Sequence, residues 1–391
     1  MKKQKDSFAN PDIKVPLFIP SLSSIDKKTV FHALNAKLLT DGPMLRNFES
    51  KFSNFIGCKY AAGVSNATSA LHLSLNALGI GKGDEVIVPD MTFVATINAV
   101  LLTGAKPVLT DVEQNSMNIC PDSILSNISN RTKAIIPVHF AGKSCDMTKI
   151  MKIANSKKLF VIEDCAHAIG TKFKNKHVGT FGDFGCFSFY PTKNITTIEG
   201  GMIVSKKKSL IDTVRITRNH GITHTLKERY TKGYPWDYDV KIAGYNYRLD
   251  EIRASLGISQ LKQIKHLNNK RKKAYKYYNK HFANIKGISI PDNDNLSDHA
   301  CHLYILKINK KLFSISRNDV FKKLLVLGIR TSVHYKPLHK FLIYKKLGII
   351  RSTLNNSDNL FNEIISLPLY PGIKKFEQDF VINSILSLQK N

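Results

Sequence analysis

From Tyr60 to Asp111 the chain reads YAAGVSNATSALHLSLNALGIGKGDEVIVPDMTFVATINAVLLTGAKPVLTD. Short apolar runs alternate here with segments of helical spacing. Tyr60–Ser65 reads as a strand. Ala67–Leu78 repeats its apolar residues at helical intervals, and Gly79 and Gly81 follow its end. Glu85–Val88 is a strand stopped by Pro89, Thr92–Leu102 a second helix, and Lys106–Asp111 a third strand. Strands alternating with helices are βαβ units, which predict a mostly parallel sheet covered by helices.

The same pattern continues outward. Thr132–Phe140 and Leu159–Asp164 are continuous apolar strands of the kind buried on both faces. Cys186–Tyr190 and Gly201–Ser205 read as two more. After about residue 250 the pattern changes. Asp250–Phe282 reads as one long helix or two broken ones, with Leu261, Ile264, Tyr275, Tyr278 and Phe282 on its buried side and the run Lys270-Arg271-Lys272-Lys273 on its wet side. A strand at Cys301–Ile308, a helix at Asn318–Leu327 and a strand near Arg330–Tyr335 follow. The fold class is therefore α/β: a large domain over residues 1–250, with an N-terminal arm, and a smaller α+β domain over 251–391.

Composition narrows the classes. The 391 residues are 43% hydrophobic, with 21 Phe and 14 Tyr, which excludes a disordered chain. Lys and Arg number 58 against 30 Asp and Glu, a net charge of +28. Such a balance fits a nucleic-acid or membrane partner, or simply a lysine-rich solvated surface; the second reading is preferred because basic charge alone says little about function. The six cysteines, Cys58, Cys120, Cys145, Cys165, Cys186 and Cys301, contain no CxxC pair and no disulfide spacing. Zinc is not expected; reduced thiols in a cytoplasmic protein are. MKKQKDSFANPDIK lacks an apolar run behind its charges, so a secretory signal is not expected either, and no apolar stretch is long enough to span a bilayer.

Three segments carry chemistry, each at the carboxyl end of a strand, where α/β sheets place their ligands. FSFYPTKNITTIEGG (Phe187–Gly201) sets Lys193 just past a strand. A lysine desolvated in a cleft has a depressed pKa and can form an imine with a carbonyl; an ordinary surface lysine is the plain alternative. IEDCAHAIG (Ile162–Gly170) ends an apolar strand on Asp164. A carboxylate there needs a cation, such as a protonated pyridine nitrogen, or it caps the following turn. SNATSALHL (Ser65–Leu73) is a small polar turn into a helix, a phosphate cradle or a simple Asn cap. Together they form the set that a pyridoxal phosphate site demands.

At these residues the chain resembles the DegT/DnrJ/EryC1/StrS sugar aminotransferases, pyridoxal-phosphate enzymes of the type I aspartate aminotransferase fold. The resemblance runs from TDGPMLRNFE (Thr40–Glu49) through the segments above to GYNYRLDEIRASLGISQL, GIRTSVHYKPLH and SLPLY. It implies that Lys193 is the catalytic lysine and that Asp164 pairs with the pyridine nitrogen. His167 would lie beside the cofactor's phenolic oxygen and Phe93 would stack on its ring. Ala67, Thr68 and Ser188 would hold the phosphate. Asn246 would reach the phosphate of the other subunit, which implies a homodimer with shared active sites. His334 and Tyr335 would border the substrate pocket, and Thr40 with Gly42 and Pro43 would lie near the nucleotide sugar. Two departures stand out: Asn66-Ala67-Thr68 where Asn-Gly-Thr is common, and Ile198 where a glycine is common.

The resemblance further implies L-glutamate as amino donor and a nucleotide-diphosphate keto-sugar as acceptor, preferably a 4-keto-6-deoxy hexose, in a ping-pong sequence feeding glycan or polysaccharide synthesis. No nucleic acid, membrane or metal is expected as partner. The alternatives are a sugar dehydratase on the same fold, against which Lys193 argues, and a nucleic-acid binder on an inactive scaffold. Among other residues, His72 reads as a packed residue and Cys165 as a packing thiol. His139 is open between the cofactor pocket and a structural role, and His220, in RNHG, between a substrate or dimer contact and an ordinary loop.

Overall fold

The structure, a computed structural model, describes residues 12–223, 234, 236–291 and 296–389. In chain order its strands are β1 (Tyr60–Val64), β2 (Glu85–Pro89), β3 (Lys106–Thr110), β4 (Thr132–Ile135), β5 (Phe160–Asp164), a short ribbon of β6 (Lys172–Phe173) and β7 (Lys176–His177), then β8 (Phe184–Ser188) and β9 (Gly201–Ser205). Seven of them form one sheet in the order β1-β9-β8-β5-β4-β2-β3. The four pairs from β8 to β3 are parallel, and β9 alone runs against its two neighbours. The fold is thus the expected α/β type with a mostly parallel sheet. β2 shows why its strands read as unbroken apolar runs. Val86 and Val88 join the core on one face with Leu71, Leu75 and Ile97. Ile87 joins the other face with Val108, Ile150 and Val161.

The helices Ala67–Ala77 and Val94–Leu102 lie on the first of these faces. The first starts where expected because Asn66 Oδ1 accepts the Ser69 N–H at 2.8 Å. Thr132–Phe140 is strand only as far as Ile135; beyond it Pro137, which has no N–H to give, interrupts the ladder. His139 N–H then bonds the Asp164 carbonyl, carrying the pairing on as a single bridge.

Glu251–Phe282 is a single helix. Leu261, Ile264, Tyr275, Tyr278 and Phe282 are buried as expected, but Arg271 is not on the wet side: it is 3% exposed. Position 271 falls on the stripe set by Ile264, Leu267 and Tyr278. Its guanidinium donates to the carbonyls of Leu369 at 2.9 Å and His302 at 3.2 Å. The second sheet is antiparallel: β10 (Ile288–Ser289), β11 (Tyr304–Ile308), β12 (Ile364–Leu367). Its core takes in Tyr275, Tyr278, Tyr304, Phe313 and Leu324. The strand expected near Arg330–Tyr335 is instead irregular: it meets the outer edge of β12 through a single bridge, Ser332 to Ser366. The chain then crosses back. Leu338, Tyr344, Ile349 and Leu354 pack into the core of the large sheet, and Ile350 bridges to Leu109 at its edge.

Glu163 sits fully buried inside this frame. Its Oε1 accepts the N–H groups of Phe181 at 2.7 Å and Gly182 at 2.9 Å. Its Oε2 accepts Gly179 N–H at 2.7 Å and His139 Nε2–H at 3.0 Å. Burial pushes the carboxyl up, but the His139 hydrogen bond and the backbone donors outweigh it and hold it below the ordinary value. Glu163→Gln should cost about 3 kcal/mol at neutral pH, because it turns an NH2 group onto donors that have no other acceptor. With the folded value below the unfolded one, the carboxylate's contribution is complete above about pH 5 and lost as pH falls through the acid range. Urea melts should therefore show the gap between wild type and variant closing on acidification; a gap independent of pH would contradict the assignment.

Candidate active site

β1, β2, β4, β5 and β8 all point their carboxyl ends at one edge of the sheet, and a cavity of about 560 Å³ opens there. Its lining comes from the ends of several strands. Asn66, Ala67 and Thr68 follow β1, Thr92, Phe93 and Thr96 follow β2, Asp164 and His167 end β5, and Ser188, Tyr190 and Lys193 follow β8. His334 and Tyr335 close it from the chain's C-terminal third. Of the thirteen residues given a site role in the sequence, nine therefore share one cavity: Ala67, Thr68, Phe93, Asp164, His167, Ser188, Lys193, His334 and Tyr335.

Asp164 is 5% exposed. Its Oδ2 accepts the Thr96 hydroxyl at 3.0 Å and its Oδ1 the Ala166 N–H at 3.1 Å. Thr92 supports Thr96 in turn, hydroxyl to hydroxyl at 2.9 Å. Burial still pushes this carboxyl up, against those bonds and the Lys193 charge. It is an anion short of a cation. Lys193 shows the converse: burial lowers its amine to about 8, and the Asp164 charge restores only part of the loss. At that value an appreciable share of the amine is neutral, and nucleophilic, near physiological pH.

His167 Nδ1 accepts the Ala141 N–H at 3.3 Å, which leaves Nε2 to donate to the Tyr335 hydroxyl at 3.1 Å. Burial, then the Lys193 and His334 charges, hold His167 well below its ordinary value, so it is neutral. His334 Nδ1 pairs with the Ser366 hydroxyl at 2.7 Å, and burial lowers it to about 4. Phe93 stays 56% exposed, 5.9 Å from the Tyr335 ring, with an open face toward the cavity.

At the other end, the first turn of the Ala67–Ala77 helix offers backbone N–H groups beside the Thr68 and Ser188 hydroxyls. β9 passes close beneath. A Cβ on Gly201 would lie 2.6 Å from the Asn66 carbonyl and 2.9 Å from Ala67 N, so only glycine lets the turn settle there. Ile198, which stands where a glycine was noted as common, has φ of 71° in the left-handed region. Its N–H is held by the Thr196 hydroxyl at 2.9 Å. The departure seen in the sequence is thus a strained residue beside the lysine loop.

Four expected residues, Asn246 and the loop residues Thr40, Gly42 and Pro43, are not among the lining of this chain's cavity. Asn246 is exposed, bridged to Asn219. Thr40 is exposed and bridged to Asp250. Its loop is fastened by Glu251, which accepts the N–H groups of Gly42, Met44 and Leu45 at 2.7–3.0 Å. His139 and Cys165 are fully buried, and His139 serves Glu163. The ligand atoms of His139, Glu163 and Cys165 lie within 4.8 Å of one another, yet both Glu163 oxygens are taken by hydrogen bonds. His72 packs against the stacked pair Tyr245 and Tyr247, and His220 is exposed at φ 60°. Tyr190, read as a strand-end residue, lines the cavity too, whereas sequence reading missed Thr96, Glu199 and His302. Only Thr96 left a trace, three residues after Phe93 on the helix that starts at the cavity.

The donor set fits pyridoxal phosphate. A buried carboxylate without a cation suits a protonated pyridine nitrogen, a depressed amine suits an aldehyde, and a helix N-terminus flanked by hydroxyls suits a phosphate. Known proteins agree. Spore coat polysaccharide biosynthesis protein SpsC of Bacillus subtilis is 36% identical over 378 residues, 96% of this chain and 97% of SpsC. The structure of Helicobacter pylori PseC, an aminotransferase involved in the biosynthesis of pseudoaminic acid, superposes with a TM-score of 0.87 at 31% identity, covering 96% of this chain and 99% of PseC. The putative sugar aminotransferase Spr1654 from Streptococcus pneumoniae, in its PMP-form, gives 0.90 at 29% identity, covering 96% and 99%. It is known in a PLP-form as well. The family pattern itself matches from residue 20 to residue 386, and the chain belongs to the DegT/DnrJ/EryC1/StrS aminotransferase family, whose members use pyridoxal phosphate.

Proposed function

We propose that the protein moves the amino group of L-glutamate onto a keto-sugar carried by a nucleotide diphosphate, a 4-keto-6-deoxy hexose, and so makes an amino sugar for a surface glycan or polysaccharide. The observation that carries this is the facing pair of Asp164, a buried carboxylate short of a cation, and Lys193, a depressed amine, in one cavity. The printed roles of PseC and SpsC support a sugar acceptor and a polysaccharide product. Six free cysteines suit a cytoplasmic setting.

When bound, pyridoxal phosphate supplies a carbonyl for the amine and a ring that accepts electron density from the adjacent carbon. Asp164 would hold the ring nitrogen protonated. Ala67, Thr68 and Ser188 would bind the phosphate, and Phe93 would cover the ring. His167 would donate from Nε2. With the amino donor in the cavity, Lys193 Nζ would take the proton from the donor's Cα. With the keto-sugar bound, the same amine would deliver a proton to the sugar carbon that bore the ketone. Asn246, exposed and outside its own chain's cavity, would serve the partner's phosphate in a homodimer. The exposed Phe18, Ile19, Leu22, Ile25 and Phe31 offer an apolar surface for that second copy.

The deciding experiment offers cofactor-loaded protein L-glutamate and a panel of UDP-, dTDP- and GDP-linked 4-keto-6-deoxy sugars, and reads the products by mass. An amino sugar from one of them, with 2-oxoglutarate formed in equal amount, is expected. No product from the panel, or a dehydrated sugar instead, would refute it. A second expectation follows from the amine. In the apoprotein, the rate at which pyridoxal phosphate develops its visible band should rise with pH through a midpoint near 8, the value for Lys193. A midpoint above 10 would mean an ordinary, solvated lysine.

A further inference from the structure

Asn194, next to Lys193, is 4% exposed. Its amide nitrogen donates to Asn268 Oδ1 at 2.7 Å and to the Ala300 carbonyl at 2.8 Å. A carbonyl only accepts, so the NH2 group faces Ala300 and the amide oxygen faces the other way. There it lies 3.1 Å from His302 Nδ1. With an acceptor opposite, His302 carries its proton on Nδ1. The His302 ring stacks on His167, centroids 4.4 Å apart and planes 32° apart. His167 holds the other tautomer, with the proton on Nε2, because its Nδ1 accepts from Ala141 N–H. The carbonyl of the same Ala141 accepts the His302 N–H at 3.0 Å. Ala141 sits at φ 55°, a conformation that a residue with a Cβ keeps only where its surroundings impose it. One strained residue, Ala141, therefore bonds the His167 ring through its N–H and the His302 backbone N–H through its carbonyl.

We propose that Asn194 and His302 are positioning residues for the transamination: they tie the Lys193 loop to residues 300–302, and the stacked His302 ring holds the His167 ring in place at the cavity wall, where the Ala141 N–H fixes its proton on Nε2. The inference rests on the reading of Lys193 given above. The titratable groups facing His302 are His167, Lys193, Arg271 and His334, each cationic when protonated. Lys193 and His334 also face His167, as does the Tyr335 hydroxyl. Burial and these charges act the same way on both rings, and each stays uncharged.

The test uses wild type, His302→Phe, which keeps a stacking ring but gives no hydrogen bond and does not titrate, and His302→Gln, which can still donate to Asn194. Selectively 15N-labelled histidine in the apoprotein reads the tautomers directly. His302 is expected protonated on Nδ1 and His167 on Nε2, both unchanged from about pH 6 to 8. In loaded protein, His302→Phe should slow the half-reaction with L-glutamate about tenfold or more at unchanged glutamate affinity. It should also move the pH midpoint of the visible cofactor band, with His302→Gln closer to wild type in both. Reversed tautomers, or His302→Phe with the wild-type rate and midpoint, would overturn the proposal. If neither variant takes up cofactor, the tautomer spectra of wild type decide. Wild type that develops no visible band overturns the reading of Lys193 itself, and this inference with it.

Discussion

Lys193→Ala is expected to lower turnover by about 10³-fold or more, the range lost when a positioned proton carrier is removed. The loss is large because one amine does two tasks, bonding to the cofactor carbonyl and moving the proton at the reacting carbon. No neighbour can replace it. The other basic groups lining the cavity, His167 and His334, are committed to Tyr335 and Ser366. The variant should still take up pyridoxal phosphate, since Ala67, Thr68, Ser188, Asp164 and Phe93 remain, but the loaded protein should lack the wild-type visible band. Small primary amines in the buffer should restore part of the activity. Lys193→Arg should not recover it, because a guanidinium stays protonated. Wild-type turnover in Lys193→Ala would remove the amine from the mechanism altogether.

Asp164→Asn is expected to have the second-largest effect, on the order of 10²-fold or more in the rate of each half-reaction. The amide keeps partners in Thr96 and Ala166 but carries no charge to hold a ring nitrogen protonated. The same change should have the opposite effect on the empty protein. Because burial raises the folded value of this carboxyl above the unfolded one, the unfolded state releases its proton more readily. The ionised group therefore costs stability at neutral pH, and more as pH rises through the window between the two values. The apoprotein should melt higher as Asp164→Asn than as wild type, and the order should reverse once cofactor is bound. Thermal melts with and without pyridoxal phosphate at pH 7 measure both. A variant less stable in the empty state would mean that Asp164 is a structural anion rather than one held for a cationic ligand.

The large sheet was legible because its strands are buried on both faces, so Val86–Val88 and Phe160–Ile162 announce themselves without reference to neighbours. The helix at Ala67 was legible because its cap, Asn66, is local. The errors share a cause. Arg271 was assigned to water by the charge of its run, although the carbonyls it satisfies, His302 and Leu369, lie 31 and 98 residues away. Arg330–Tyr335 looked like a strand, but it meets its partner β12, 34 residues on, at the single bridge Ser332–Ser366, and pairing is decided by that distant strand. Thr96 and His302 lay outside the reading because their roles are set by contacts across 68 and 135 residues.

The amino-acid sequence by itself determined the α/β architecture and the order in which Ala67, Thr68, Phe93, Asp164, His167, Ser188 and Lys193 arrive at strand ends, because periodicity and capping act over a few residues. Only the tertiary structure decided which of them share a cavity. It left Asn246 and Thr40 outside, depressed the Lys193 amine, starved Asp164 of a cation, and stacked His302 on His167. Those properties are burial and electrostatics, and both are sums over every segment the fold brings within a few ångströms.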